Sequence, residues 1–371
     1  MSYRAFFARL FVGVLFLGIT NLRLSAQGQE STTVGSYGEL HYNEPDGSVQ
    51  GRLDFHRFVL YLGHNFNDQL SFKSELELEH AKIEAGSSEG GELAIEQAYI
   101  DWHFSPHVGL KAGILLPPIG IINQVHEPPT FHGVERPNVE RTVIPTTWRE
   151  AGTGIYGLFA EGLSYQLYLM AGLKAKGFSG RDGIRGGRQE ALESSPMNPS
   201  VSGRLDYVPM PQLKLAGSFF VGNTTEGNDS LGSGALSIFS GDVQYDLGEF
   251  SLRAVGAFES ISDADKINRA YSNELADQIY GYYVEGAYNI LPHLNPETDQ
   301  SLAIFTRYEK YNTHAKVTGF AAKPEYDRNE IVIGATYKPT YNTAFKLDYQ
   351  FLNNGAHVNT RQLNIGIGYS F

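Results

Sequence analysis

Arg361-Gln-Leu-Asn-Ile-Gly-Ile-Gly-Tyr-Ser-Phe371 is the stretch from which the fold is read. Leu363, Ile365, Ile367, Tyr369 and Phe371 share one face, and Gln362, Asn364, Gly366, Gly368 and Ser370 share the other. Strict two-residue alternation is the period of a β-strand. A strand of large apolar residues at an open sheet edge invites pairing with other chains, and a closed barrel removes that edge. Large apolar residues opposite small polar ones suit a wall with lipid outside and water inside. The pattern also fits a soluble sandwich, whose inner faces pack together while its outer faces meet water. The strand alone leaves both folds open.

The start of the chain favours the first. Arg4 and Arg9 precede a short apolar run, Leu10–Ile19, and Leu24-Ser25-Ala26 precedes Gln27. This is the pattern of a signal peptide, residues 1–26, cleaved after Ala26. The expected mature unit, residues 27–371, is then a single exported domain. No later segment approaches the ~18 apolar residues of a spanning helix. There are no cysteines, which excludes a disulfide scaffold, thiolate metal sites and cysteine nucleophiles. The formal charge of −12 disfavours a nucleic-acid partner. Abundant Tyr, Phe and Gly fit a barrel with aromatic girdles and small inward positions.

The rest of the chain divides into about sixteen alternating segments, an even number as bacterial barrels require. They run from Gly35–Tyr42 through Gly234–Leu247 to Gln362–Phe371. Connections alternate between short turns, such as Glu161-Gly162 and Gly248-Glu249, and long polar loops. The fold predicted is all-β: a transmembrane antiparallel barrel with short periplasmic turns and long extracellular loops. Between Leu70 and Glu79, Leu70, Phe72, Leu76 and Leu78 alternate with Ser71, Lys73, Glu75, Glu77 and Glu79. Trp102, Phe104, Tyr207, Tyr245, Tyr337, Tyr369 and Phe371 fall near the turn ends, where amphipathic rings prefer a membrane interface.

Residues 116–151 form the most unusual loop. Its length marks it as functional or disordered, and its Pro, Ile, Val, Phe and Trp content argues against disorder. Two placements are open: folded into the lumen, or capped over the barrel mouth with its charges paired to one another. The apolar content favours the lumen. Glu135, Arg136, Glu140, Arg141, Arg149 and Glu150 are then candidate constriction residues. The next loop offers Arg185 and Arg188 at the mouth, either to attract anions or to contact lipopolysaccharide. Arg204, Arg253 and Arg307 fall on the inward face, where acidic residues accompany them.

Three stretches, Lys111-Ala-Gly-Ile-Leu-Leu-Pro-Pro-Ile-Gly120, Glu135-Arg-Pro with Ile144-Pro-Thr-Thr-Trp-Arg-Glu-Ala-Gly152, and Gly183-Ile-Arg-Gly-Gly-Arg188, resemble the phosphate-selective porin O/P-like family. The resemblance implies an outer-membrane location, recognition of the last aromatic residue, Phe371, by the barrel-assembly machinery, and homotrimers. Phosphate selectivity is not carried over, because arginines here alternate with glutamates. No HExxH, GxSxG, P-loop or dinucleotide fingerprint occurs, and the histidines lack metal-ligand spacing. The reading is a non-enzymatic, cofactor-free and metal-free channel for small hydrophilic solutes or anions. A loop-plugged adhesive barrel is the alternative, with an outer-membrane hydrolase behind it.

Overall fold

The computed structural model describes residues 30–47, 50–81 and 91–371. The expected signal peptide lies outside them. Sixteen strands form one closed barrel: β1 Ser31–Pro45, β2 Arg52–Asn65, β3 Leu70–Glu79, β4 Leu93–Ser105, β5 Val108–Leu115, β6 Glu150–Ala160, β7 Leu163–Ala171, β8 Pro199–Met210, β9 Leu213–Gly222, β10 Leu236–Leu247, β11 Phe250–Ile261, β12 Gln278–Asn289, β13 Ser301–Lys316, β14 Asp327–Thr340, β15 Thr343–Asn354 and β16 Asn359–Ser370. Each strand is antiparallel to its sequence neighbours. β16 closes on β1 with Leu40 opposite Ile367 and Tyr42 opposite Ile365. The terminal alternation is therefore a closing strand. No helix among the described residues is long and apolar enough to cross a membrane; the wall consists of strands.

Alternation places Phe58, Leu60 and Leu62 of β2, Ile331 and Ile333 of β14, and Ile365 and Ile367 of β16 on the outer surface, all exposed. These are the side chains that meet lipid. Aromatic pairs sit at the turn end of the wall: Trp102 with Phe104, Tyr337 with Phe345, and Tyr369 with Phe371. Several strands exceed their sequence-based bounds. β1 begins at Ser31 where alternation starts at Gly35, and β13 runs to Lys316 where alternation spans Ser301–Tyr311, because the ladder is held by backbone hydrogen bonds that continue past the apolar band. One loop carries a helix that the alternation did not reveal, α1, Ala264–Tyr271.

The inside is not a simple water-filled lumen. Ile119, Ile121, Ile122, Phe131, Val139, Val143, Ile144 and Trp148 come from the connection between β5 and β6. They form one buried apolar cluster with inward wall residues, including Tyr168, Phe220, Ile238, Val255, Ile279 and Tyr283. Burying each such side chain contributes roughly 1.5–3 kcal/mol. The inward glycines of β16 serve this packing. A Cβ on Gly366 would stand 2.9 Å from Val134 Cγ1, and one on Gly368 would stand 2.4 Å from Pro128 Cβ. The small face of the terminal strand thus meets protein where its sequence pointed to water.

Candidate functional site

The β5–β6 connection crosses the lumen and is tied to the wall on several sides. Gln124 Nε2 reaches Gln166 Oε1 on β7 at 3.1 Å. The Gly120 carbonyl accepts from Arg204 on β8 at 3.0 Å. A single turn, Pro128–Thr130, then reaches deep toward the short-turn end. There Lys338 donates to the Pro129 carbonyl at 2.5 Å and Arg253 to that of Thr130 at 2.8 Å. On the way back the Val134 N–H bonds Asp348 at 2.6 Å, Asn138 donates to Glu330 at 2.7 Å, and the Val139 N–H bonds Glu309 at 2.9 Å. Basic wall residues thus take loop carbonyls and acidic wall residues take loop N–H groups. Buried irregular backbone must find such partners.

A polar knot holds the centre. His126 Nε2 lies 2.8 Å from the Tyr37 hydroxyl and 3.2 Å from Glu96 Oε2, while Arg57 donates to the His126 carbonyl at 3.2 Å. Burial opposes charge on this imidazole, but the adjoining Glu96 carboxylate wins and raises it to about 9. His126 therefore enters the knot as a cation.

The expected constriction residues have mixed positions. Glu135 accepts from Asn43 at 2.9 Å and lies 3.2 Å from His41. Arg136 is half-buried, and the Arg141 side chain is exposed. Arg149 is buried and paired with Glu190 at 3.0 Å and Glu92 at 3.3 Å. Glu150 accepts from the Gln189 N–H at 2.8 Å and the Trp148 indole at 3.2 Å. Glu140 is buried and takes the Ile121 and Ile122 N–H groups at 2.9 and 2.7 Å and the Tyr283 hydroxyl at 2.7 Å. Gly120, at φ +69°, leaves room for it, since a Cβ there would stand 2.5 Å from Glu140 Oε2.

The inward and mouth arginines are engaged by the protein itself. Arg204 pairs with Asp206 at 2.9 Å and binds both oxygens of Asp242 at 2.8 and 2.9 Å. Arg307 pairs with Glu309 at 2.8 Å and Glu285 at 3.1 Å. Arg185 donates to the carbonyls of Arg141 and Thr146, and Arg188 to that of Thr147 at 3.0 Å. The two loops are clasped together at the mouth. An anion ladder would need free guanidinium groups; these stabilise the loop's carbonyls and neighbouring carboxylates.

The open volume lies elsewhere. A cavity of ≈790 Å³ runs from Leu116 and Gln124 of the loop down to Pro106 and Tyr165 at the short-turn end, along the wall formed by β2 to β7. Lys111 enters it between two rings, 5.3 Å from the Tyr99 centroid and 4.8 Å from that of Tyr156. Lys73 lies 3.6 Å from Asp101. On the far side of the loop a smaller cavity of ≈190 Å³ is lined by His132, Thr336 and Lys338. Alternation gave the inward direction of Lys73, but nothing in the sequence marked which inward residues the loop leaves uncovered.

Glu140 makes the docked loop pH-sensitive. Burial raises its carboxyl to about 7, against the lowering effect of its hydrogen-bond donors. Between the ordinary carboxylate range and pH 7 the folded state therefore holds a proton that the unfolded chain has lost. Stability is greatest below that range and falls as pH rises through 7. Glu140→Gln keeps an acceptor for the Ile121 and Ile122 N–H groups and removes the titration. Urea unfolding of the folded protein at pH 5 and pH 8 should show a smaller difference for the variant than for the parent. An equal difference would show that Glu140 does not carry it.

No family model matches the chain. An uncharacterized protein of Aquifex aeolicus (strain VF5) is 39% identical over 336 residues, covering 87% of this chain and 76% of that protein. Among solved structures, an anion-selective porin from Comamonas acidovorans superposes with a TM-score of 0.60 at 13% identity, covering 92% of this chain and all of that one. OmpT, an outer membrane protein of Vibrio cholerae in its trimer form, gives 0.58 at 10% identity, covering 92% and 99%. At such identities the likeness is one of fold. The chain belongs to the same family as the Aquifex protein, and its closed sixteen-stranded barrel has the fold of outer-membrane porins.

Proposed function

We propose that the protein is an outer-membrane channel with a narrow passage for small hydrophilic solutes, diffusing past the inward loop along the β2–β7 side of the lumen. The observation that carries this reading is the ≈790 Å³ cavity, which presents Lys73, Glu75, Lys111 and Gln124 beside a loop packed against β7 to β13. Above Lys73 the inward row of β3 continues through Glu75 and Glu77 to Glu79. The charge of Glu79 acts on Arg185 and Arg188 at the mouth. Carboxylates on the wall and cations on the loop set a transverse field across the route, a device that sorts solutes by charge and size. Phosphate selectivity is not part of the proposal, since the arginines it would need are engaged. Assembly as a homotrimer and contact with lipopolysaccharide remain proposals too; the trimer form of the Vibrio cholerae protein supports the first.

Planar-bilayer recording on the purified protein tests the reading. Discrete unitary steps are expected, with Lys111→Glu shifting the reversal potential toward cations. A bilayer that stays silent at every voltage sinks it, and favours the second reading, a loop-plugged barrel that is structural or binds an external ligand. That reading draws on the apolar packing of the loop against β7 to β13.

A further inference from the structure

Outside the passage, Asp54, His56 and His80 bring three ligand atoms to within 4.8 Å of one another at the loop end of β2 and β3. Two local features produce this convergence. The β1–β2 ladder shifts register, with Glu39 opposite Arg57 but Leu40 opposite Phe55, so His56 is the extra residue of a bulge. Bulges re-aim side chains, and here both His56 and Arg57 turn inward: Arg57 pairs with Glu39, and His56 stacks on His41 with centroids 4.7 Å apart. His80, just past β3, has φ +54°, uncommon for a residue with a side chain. Its N–H bonds the His56 carbonyl at 3.1 Å, and the two imidazoles meet edge to face with centroids 5.6 Å apart.

Asp54 Oδ2 lies 2.7 Å from His80 Nδ1 and 3.4 Å from His56 Nδ1. Ligands on a tetrahedral ion with bonds of about 2.1 Å stand roughly 3.4 Å apart. The Asp54–His56 edge has that length already, the Asp54–His80 edge opens by under an ångström at the half-exposed His80, and the His56–His80 edge lies within 4.8 Å. All three side chains are partly exposed, so remaining positions are open to water. Behind His56, the stacked His41 lies between Glu39 and Glu135, and Arg57 also pairs with Glu39, so the cations next to the site are matched by carboxylates.

We infer that Asp54, His56 and His80 form a site for a divalent transition-metal ion at the loop-side end of the lumen. Two imidazoles and one carboxylate select Zn²⁺, Ni²⁺ or Cu²⁺ over Ca²⁺ and Mg²⁺, which prefer all-oxygen shells. An ion approaching from the loop side would meet this site beside the β1–β3 wall. The site does not depend on the proposed channel activity.

Zinc chloride titrated calorimetrically into the detergent-folded protein, freed of metal beforehand, provides the test. About one zinc per chain is expected, not displaced by excess calcium or magnesium. His56→Ala with His80→Ala should weaken zinc binding at least ~10-fold, and the milder Asp54→Asn should weaken it without affecting the fold. Heat-modifiable migration on gels verifies that each variant is folded. The inference is overturned by absent zinc uptake. It is equally overturned by uptake unchanged in the folded double variant, which would move the metal to the buried Glu75, Glu96 and His126 group.

Discussion

Replacing residues 118–147 with a short glycine–serine bridge is expected to raise unitary conductance severalfold in planar bilayers. A sixteen-stranded barrel is wide enough to hold an aqueous channel when nothing fills it, and here the filling is the β5–β6 connection. The replacement also exposes inward Phe220, Ile238 and Ile279 to water, so a smaller change serves as a second arm. Trp148 is fully buried, with its ring centroid 4.5 Å from that of Phe220. Trp148→Ala removes an anchor of about 3–5 kcal/mol. The loop should then fluctuate, giving larger and noisier openings. A folded bridge variant that conducts like the parent would show that solutes do not pass beside this loop.

The wall was legible because lipid demands an apolar residue at every second position. That demand ends where the strands leave the apolar band, which is why Ser31–Val34 and Asn312–Lys316 did not read as strand although their backbones continue the ladder. The inward course of residues 116–151 was legible in outline, from apolar residues in a stiff, proline-rich loop. A stronger signal lay in the wall. Leu167-Tyr-Leu-Met170 is apolar on both faces, and so is Phe219-Phe220-Val221. A strand with lipid on one side and an apolar face on the other must have protein inside. The partners were not legible, because alternation gives the direction of a side chain and not the occupant it meets. Arg204, Arg253 and Arg307 point inward as expected, yet whether they meet solute or loop depends on strands distant in sequence. For the same reason scattered histidines showed no metal spacing: His56 and His80 become neighbours only through strand pairing and a bulge.

Arg307→Ala should cost as much stability as Trp148→Ala, by an electrostatic route. Arg307 lies inside the barrel, 1% exposed, and its guanidinium faces Glu285 and Glu309 together. It also donates to the carbonyls of His132 and Glu135, both at 3.4 Å. Glu309 holds the Val139 N–H with its other oxygen. Removing the cation leaves two buried carboxylates facing each other and frees the returning half of the loop. Breaking a buried pair from one side costs about 3–5 kcal/mol. A surface pair gives the contrast: Arg269 on α1 meets Asp265 at 2.8 Å but is largely exposed, and Arg269→Ala should cost below about 1 kcal/mol. Urea unfolding in vesicles should therefore separate the two variants clearly. The loss should be partly reversible without restoring charge, because Arg307→Met combined with Glu285→Gln and Glu309→Gln removes the uncompensated carboxylates while keeping volume. Equal destabilisation by Arg307→Ala and Arg269→Ala would mean water reaches Glu285 and Glu309, and the lumen at that level would have to be wet rather than filled by the loop.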